Sequence, residues 1–380
     1  MTSLDQVLAA ADPETASGLV AGIVHKGGKT ELAASGTRSK ADAAAMTTDS
    51  VFWIASCTKL VTSIAVLQLV DEGKIGVEDL VSDHLPHFAD LPVLDGFDAE
   101  GKAKLRPGKE PVRIRHLLTH TSGLSYPFTD ADLGRYAQEN GIEMIEGHRL
   151  PRIFDAGERW QYGVSTEWLG LLITAVTGKP LADVFDERIF KPLGMTDTSF
   201  VLEPRLAERS AAVHARIPGV GLTPIPFPMP QPPSFIQGGG GLYSTAPDYL
   251  KLLGALLDGG GKLLSPTSMK LLTSNQVGEI ECGVFKASDP ATTNDYDPLP
   301  GRAKRWSLGA MYSDEAGPHG RGEGSFAWAG LANCYYWVDM QAGVAGVLFA
   351  QVLPFADPKV IQAFDAVERA AYGLETAVAL

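Results

Sequence analysis

VFWIASCTKLVTSIAVLQLVDEG, residues 51–73, is the stretch whose reading decides the fold. It reads as one strongly apolar helix with a serine and a lysine, Ser56 and Lys59, three residues apart at its front. A helix turns once every 3.6 residues, so these two side chains share a face. Leu60, Val61, Ile64, Val66, Leu67, Leu69 and Val70 cover most of the circumference, which predicts a helix buried on most sides. Asp71, Glu72 and Gly73 mark its end, glycine suiting the left-handed C-terminal position. Burial penalises a charged lysine, so the pKa of Lys59 is expected to fall and its neutral amine to serve as a base. A hydroxyl beside such an amine is an activated nucleophile. Ser-x-x-Lys also occurs in many helices as a solvated first turn, so the pair alone does not decide the chemistry.

The rest of the chain narrows the possibilities. Its 380 residues are enough for a large core, and 45% hydrophobic with 20% charged residues is ordinary for a globular protein. A net charge of −13 argues against nucleic acid or an anionic membrane surface as a partner, because both require clustered basic groups. No apolar run reaches the roughly 18 residues of a membrane span, and no basic region followed by an apolar core opens the chain. Cys57, Cys282 and Cys334 are odd in number and widely spaced, which favours free thiols and a cytoplasmic location over a disulfide framework or a zinc site. Cys57, next to the candidate nucleophile, reads as a small buried hydrophobe.

Taken in order, a short amphipathic helix with Leu4, Val7 and Leu8 on one side precedes a hairpin, residues 18–25 and 30–35, turned at Gly27-Gly28. Residues 37–50 are loop-like. From the buried helix to about residue 110 runs a connector with Pro86, Pro92 and Gly96, expected to wrap the surface. VRIRHLLTHTSGL, residues 112–124, is helix-like from Arg113. His116 and His120 have the spacing of H-E-x-x-H, but Leu117 stands where the glutamate belongs, so hydrogen-bonded supporting histidines are expected and no metal. Tyr162 follows a glycine turn and leads into an amphipathic helix ending at Gly178. GVSTE, residues 163–167, lacks the last glycine and the preceding strand of a nucleophile elbow, so Ser165 is not one. Further helices are expected at residues 181–190 and 247–257. The proline-dense stretch 218–233 cannot be a central strand or helix interior. The four glycines 238–241 read as close backbone packing and not as a phosphate loop, having no Lys-Ser/Thr pair beside them. Residues 283–304 are irregular. Antiparallel strands are expected at 306–312, 325–328, 334–339 and 344–353, then a closing helix from Pro358 to about Tyr372. The plan is α+β, with sheet at both ends of the chain and a mostly helical part between.

Three pieces fit one pattern: Ser56-x-x-Lys59, Tyr162 after its glycine turn, and Trp328-Ala329-Gly330 on a late strand. With IRHLLTHTSGL at 114–124, PLGMTDTSF at 192–200, GGGGLYST at 238–245 and the block from Trp328 to Pro354, the chain resembles the serine β-lactamase and penicillin-binding protein superfamily. Within it the closest likeness is to the family VIII carboxylesterases and related fungal acyltransferases. The resemblance implies a single β-lactamase/transpeptidase-like domain over 1–380, an antiparallel sheet with flanking terminal helices from 1–50 and 300–380, and a helical subdomain with loop insertions from 51–299. It implies Ser56 as nucleophile, Lys59 as base or proton relay, and Tyr162 as the phenol that exchanges protons with the serine and the leaving alcohol. The backbone N–H groups of Ser56 and Leu331 would form the oxyanion hole.

Two departures sharpen the substrate. The penicillin-recognising members carry a lysine where Trp328 stands and an asparagine where Val164 stands. An indole in place of that ammonium removes an attraction for carboxylates and offers an apolar surface, and the lost amide removes a hydrogen bond to substrate amides. Both changes point to neutral, hydrophobic esters. Tyr126, Phe128, Val164, Trp328, Gly330 and the stretch around Phe227 and Phe235 are the expected pocket walls. The expectation is a serine carboxylesterase acting through an acyl-enzyme on a small-molecule ester, with no metal or organic cofactor. Acyl transfer to an alcohol or amine, promiscuous β-lactam or D-amino-acid peptide cleavage, and a non-catalytic ligand sensor are the alternatives on the same residues.

Overall fold

The computed structural model describes residues 2–12, 14–226 and 231–375. Helix α1 (Leu4–Ala10) is opened by a capping box in which the Ser3 and Gln6 side chains each bond the other's backbone N–H. Strands β1 (Gly18–His25) and β2 (Thr30–Gly36) form the expected hairpin. Helix α2 (Thr58–Asp71) is buried from Thr58 through Leu69, so the reading of an all-round apolar helix holds. Its front differs from expectation. Phe52–Trp53 is a two-residue strand, and Ala55–Cys57 is a turn of 3-10 helix, so Ser56 sits just ahead of α2.

The middle of the chain is largely helical: α3 (Ile114–Leu118), α4 (Ala131–Glu139), α5 (Ser165–Thr177) and α6 (Ala246–Leu257). The connector after α2 carries regular structure. It holds a short helix, Val81–His84, and a hairpin, Val93–Phe97 with Ala103–Arg106, whose Gly96 takes a φ of +74°.

The end of the chain returns to the sheet with β3 (Lys304–Trp306), β4 (Met311–Ser313), β5 (Phe326–Gly330), β6 (Cys334–Asp339) and β7 (Val344–Phe349), then closes with α7 (Pro358–Ala371). The run expected as one strand over 306–312 is two strands, because Gly309 turns the chain at a φ of +149°. The strand expected to reach residue 353 leaves the sheet after Phe349, and Val352–Leu353 pairs in parallel with His214–Ile217 instead.

The seven strands run in the order β2-β1-β7-β6-β5-β4-β3, all antiparallel. Both faces are covered, and the period of two in a strand shows how. On β6, Tyr335 and Trp337 meet Phe364 of α7, while Tyr336 meets Tyr249 of α6. Gly346 on β7 leaves room for the Trp337 indole, since a Cβ there would stand 2.2 Å from it. This is the β-lactamase/transpeptidase-like α+β fold, and it brings β5 from the end of the chain alongside the turn carrying Ser56.

Candidate active site

The Ser56 turn and β5 approach each other closely. A Cβ on Gly330 would lie 2.2 Å from the Ile54 carbonyl oxygen and 3.3 Å from the Ala55 Cβ, so only glycine fits there. Ala55 itself takes a φ of +44°, a left-handed conformation that L-residues rarely adopt. Residues held this way cluster at functional sites.

Lys59 is 2% exposed, and its Nζ donates to three acceptors: Ser56 Oγ at 3.1 Å, Tyr126 Oη at 3.0 Å and the Gly239 carbonyl at 2.8 Å. An ammonium has three protons, so this set saturates it. Nζ also lies 4.8 Å from the centroid of the Tyr162 ring. The Tyr162 hydroxyl is buried and has no hydrogen-bond partner among the described residues. Ser56, Lys59 and Tyr162 are thus brought together, and Tyr126 joins them as a second phenol.

The electrostatics correct one expectation. Burial pulls the pKa of Lys59 down, but Tyr126, Tyr162 and Glu167 raise it by more, so the net direction is up and the lysine stays an ammonium. Burial pushes the Tyr126 phenol up against the opposing pull of Lys59. Glu167, 5% exposed near the start of α5, is pushed up to about 7 by burial, against Lys59 and the N–H groups of Gly239 and Gly238. Its Oε2 accepts from Gly239 N at 3.1 Å. The four-glycine segment packs closely as expected: a Cβ on Gly238 would meet the Thr166 carbonyl at 2.9 Å, and Thr62 Oγ1 donates to the Gly238 carbonyl at 2.5 Å.

A cleft of about 620 Å³, its open mouth included, lies against Ser56. Tyr126, Phe128 and Trp328 line it as expected, joined by Tyr162, Leu331, Trp53, Phe285 and Phe355. Trp328 packs its ring 4.9 Å from Tyr162 and 4.7 Å from Trp306. Two expected wall residues are elsewhere. Val164 does not line the cleft; it is 1% exposed and packs on Gly147, where a Cβ would come within 2.8 Å of it. Phe235 stacks on His148 at 4.6 Å. Gly330 acts by its close approach to the Ser56 turn and not as a wall, and Phe227 lies outside the described residues.

The two histidines divide. His116 Nδ1 accepts from Arg113 N at 3.1 Å, as expected of a satisfied histidine, and burial followed by Arg115 lowers its pKa to about 4. His120 departs from expectation, since its Nδ1 has no partner among the described residues and its ring is held between Tyr162 at 4.9 Å and Trp306 at 5.2 Å. Burial and then Lys59 drive its pKa well down, so it is neutral. Among the described residues, no group of three or more His, Cys, Asp or Glu is placed to hold a metal ion. No single helix among them is long and apolar enough to cross a membrane.

Glu167, Phe285 and Phe355 were not singled out from the sequence. Glu167 had a usable signal: a carboxylate within STEWLGLLI, otherwise a stretch with the composition of a buried helix. The two phenylalanines had none, because their position depends on how irregular segments return to the sheet.

The profile of the Beta-lactamase family matches residues 6–370. The chain is 33% identical over 322 residues to the monacolin J acid methylbutanoyltransferase of Aspergillus terreus, covering 80% of this chain and 78% of that protein. It is 30% identical over 322 residues to the lovastatin esterase of Penicillium rubens, covering 80% and 81%. Among solved structures, the LovD6 mutant of simvastatin synthase from Aspergillus terreus superposes with a TM-score of 0.86 at 26% identity, covering 97% of this chain and 94% of that one.

Proposed function

The chain belongs to the Beta-lactamase family, and from that premise we propose that Ser56 takes an acyl group from a neutral, hydrophobic carboxylic ester and passes it on. With relatives that are acyltransferases and esterases, the chain is an enzyme acting on esters. The observation that carries the finer reading is the buried Lys59 ammonium, which bonds Ser56 Oγ and Tyr126 Oη at the edge of a cleft walled by aromatic rings.

Because Lys59 already holds three acceptors, it supplies charge and orientation and does not receive the serine proton. Tyr162, whose hydroxyl has no hydrogen-bond partner among the described residues, is the group placed to carry a proton. The Lys59 ammonium lies 4.8 Å from the centroid of its ring. Ser56 Oγ attacks the ester carbonyl as its proton passes to the Tyr162 oxygen, whose own proton is handed to the alkoxy oxygen that leaves. The oxyanion is met by the N–H groups of Ser56 and Leu331. Departure of the alcohol gives acyl-Ser56. The same steps in reverse, with water or an alcohol as acceptor, release an acid or a new ester.

Water as acceptor makes the protein a carboxylesterase. Alcohol as acceptor makes it an acyltransferase, and the similarity to a methylbutanoyltransferase favours that second reading. The two separate by product analysis of one aryl ester with and without an added hydrophobic alcohol. Esterase action leaves the acid as the main product throughout, and acyltransferase action converts most of the acyl group to the new ester. Failure of wild type to turn over any ester sinks both.

A further inference from the structure

Glu167 has no part in the proton path above, yet it stands beside it. The three acceptors on the Lys59 ammonium are all uncharged: a hydroxyl, a phenol and a peptide carbonyl. A buried cation needs an anion, and Glu167 supplies one through a single peptide residue. The Gly239 N–H donates to Glu167 Oε2 at 3.1 Å while the Gly239 carbonyl accepts from Lys59 Nζ at 2.8 Å. A Cβ on Gly239 would lie 2.4 Å from Glu167 Oε1 and 3.2 Å from Lys59 Nζ, so the two charged groups flank one Cα. The donor of this residue meets the anion and its acceptor meets the cation.

Resting on the reading of Ser56 as the acyl-bearing residue, we propose that Glu167 is a positioning residue, the counter-ion that holds Lys59 protonated and aimed at Ser56, and that its charge sets the acidic limb of the activity. Lys59 from α2 and Tyr126 from the segment after α3 are the ionisable groups that act on it or that it acts on; Tyr162 completes the cluster around Lys59. Other ionisable groups on elements packed against α5 are engaged elsewhere. Arg115 pairs with Glu78, His84 with Asp79, and His116 accepts from Arg113 N. His87 and His148 lie against Trp168, and Asp183 acts on Lys191. Burial carries the Glu167 carboxyl to about 7, so its charge changes within the working range of an ester-acting enzyme. Ionised, it strengthens the hold of Lys59 on its protons and keeps the ammonium aimed at Ser56; protonated, it gives up that hold.

The test is the pH profile of kcat/KM on a neutral ester for wild type, Glu167→Gln and Glu167→Asp. Removing the titrating carboxyl removes the step that its protonation imposes, so Glu167→Gln should move the acidic limb down by about one pH unit or more. KM for an uncharged ester should stay within about twofold, and Glu167→Asp should keep the limb near that of wild type. A Gln limb superimposed on wild type overturns the proposal, even if the rate falls. Should Glu167→Gln not fold, infrared spectra of wild type decide. The C=O stretch of a protonated carboxylic acid should persist at pH 6 and vanish by pH 8; its absence at pH 6 overturns the proposal. Wild type that fails to label at Ser56 with a fluorophosphonate sinks the acyl-enzyme reading itself. Labelling with an unmoved limb sinks only the role of Glu167.

Discussion

Removing the Tyr162 hydroxyl should separate activity from stability, because that oxygen has no hydrogen-bond partner among the described residues while its ring is packed against other aromatic rings. The ring has centroids of His120 and Trp328 at 4.9 Å and Tyr126 at 5.4 Å, all retained in Tyr162→Phe. No hydrogen bond to a described residue is lost and the ring is retained, so stability should stay within about 1 kcal/mol of wild type. Tyr126→Phe is the control. It removes a charge-assisted bond to Lys59, worth about 1.5–3 kcal/mol, and should lower stability accordingly. For activity, losing a general acid–base group should lower kcat by about 10²–10⁴, equivalent to about 3–5 kcal/mol of barrier. The loss should be larger on alkyl esters than on nitrophenyl esters, because an alkoxide needs the phenol's proton and a nitrophenolate does not. Equilibrium urea unfolding and kcat/KM on the two ester types measure both quantities. The reasoning fails if Tyr162→Phe is destabilised as much as Tyr126→Phe, keeps more than a tenth of its activity, or loses both ester types equally.

Other outcomes follow from the same geometry. Trp328→Ala should cost about 3–5 kcal/mol in urea unfolding and raise KM for hydrophobic esters, since it removes both a packed indole and a wall of the cleft. Gly330→Ala puts a methyl against the Ile54 carbonyl and should displace the Ser56 turn; circular dichroism and ester turnover should show a weakened fold with activity lost beyond the loss of folded protein. Stability should fall as pH rises through about 7, because the Glu167 carboxyl is held above its ordinary 4.5. The favourable contribution is complete below about 4.5 and lost above about 7, on the order of 3 kcal/mol at 1.36 per pH unit, and Glu167→Gln should flatten that slope.

Much of this was legible in the chain. The long buried helix, the hairpin, β6 and α7 were readable because each has one strong period or an all-apolar face with clear turn residues at its ends. The breaks at Gly309 and after Phe349 were not, because a run of β-formers does not say where its partner strand stops. Ser56, Lys59 and Tyr162 were found by motif, and the fold brings them together. The charge state of Lys59 was misjudged for a physical reason. Burial can be inferred from an apolar helix, but the two phenols and the carboxylate that oppose it come from segments distant in sequence. Val164 was assigned a wall by its place in a motif, whereas helix geometry turns it toward Gly147.

The central claim is a covalent intermediate on Ser56. Intact-mass spectrometry of wild type, acid-quenched soon after mixing with an aryl ester, should show the protein heavier by one acyl group, with the adduct on the peptide carrying Ser56. Ser56→Ala should show neither adduct nor turnover. Turnover retained in Ser56→Ala, or an adduct located on another residue, would contradict the account.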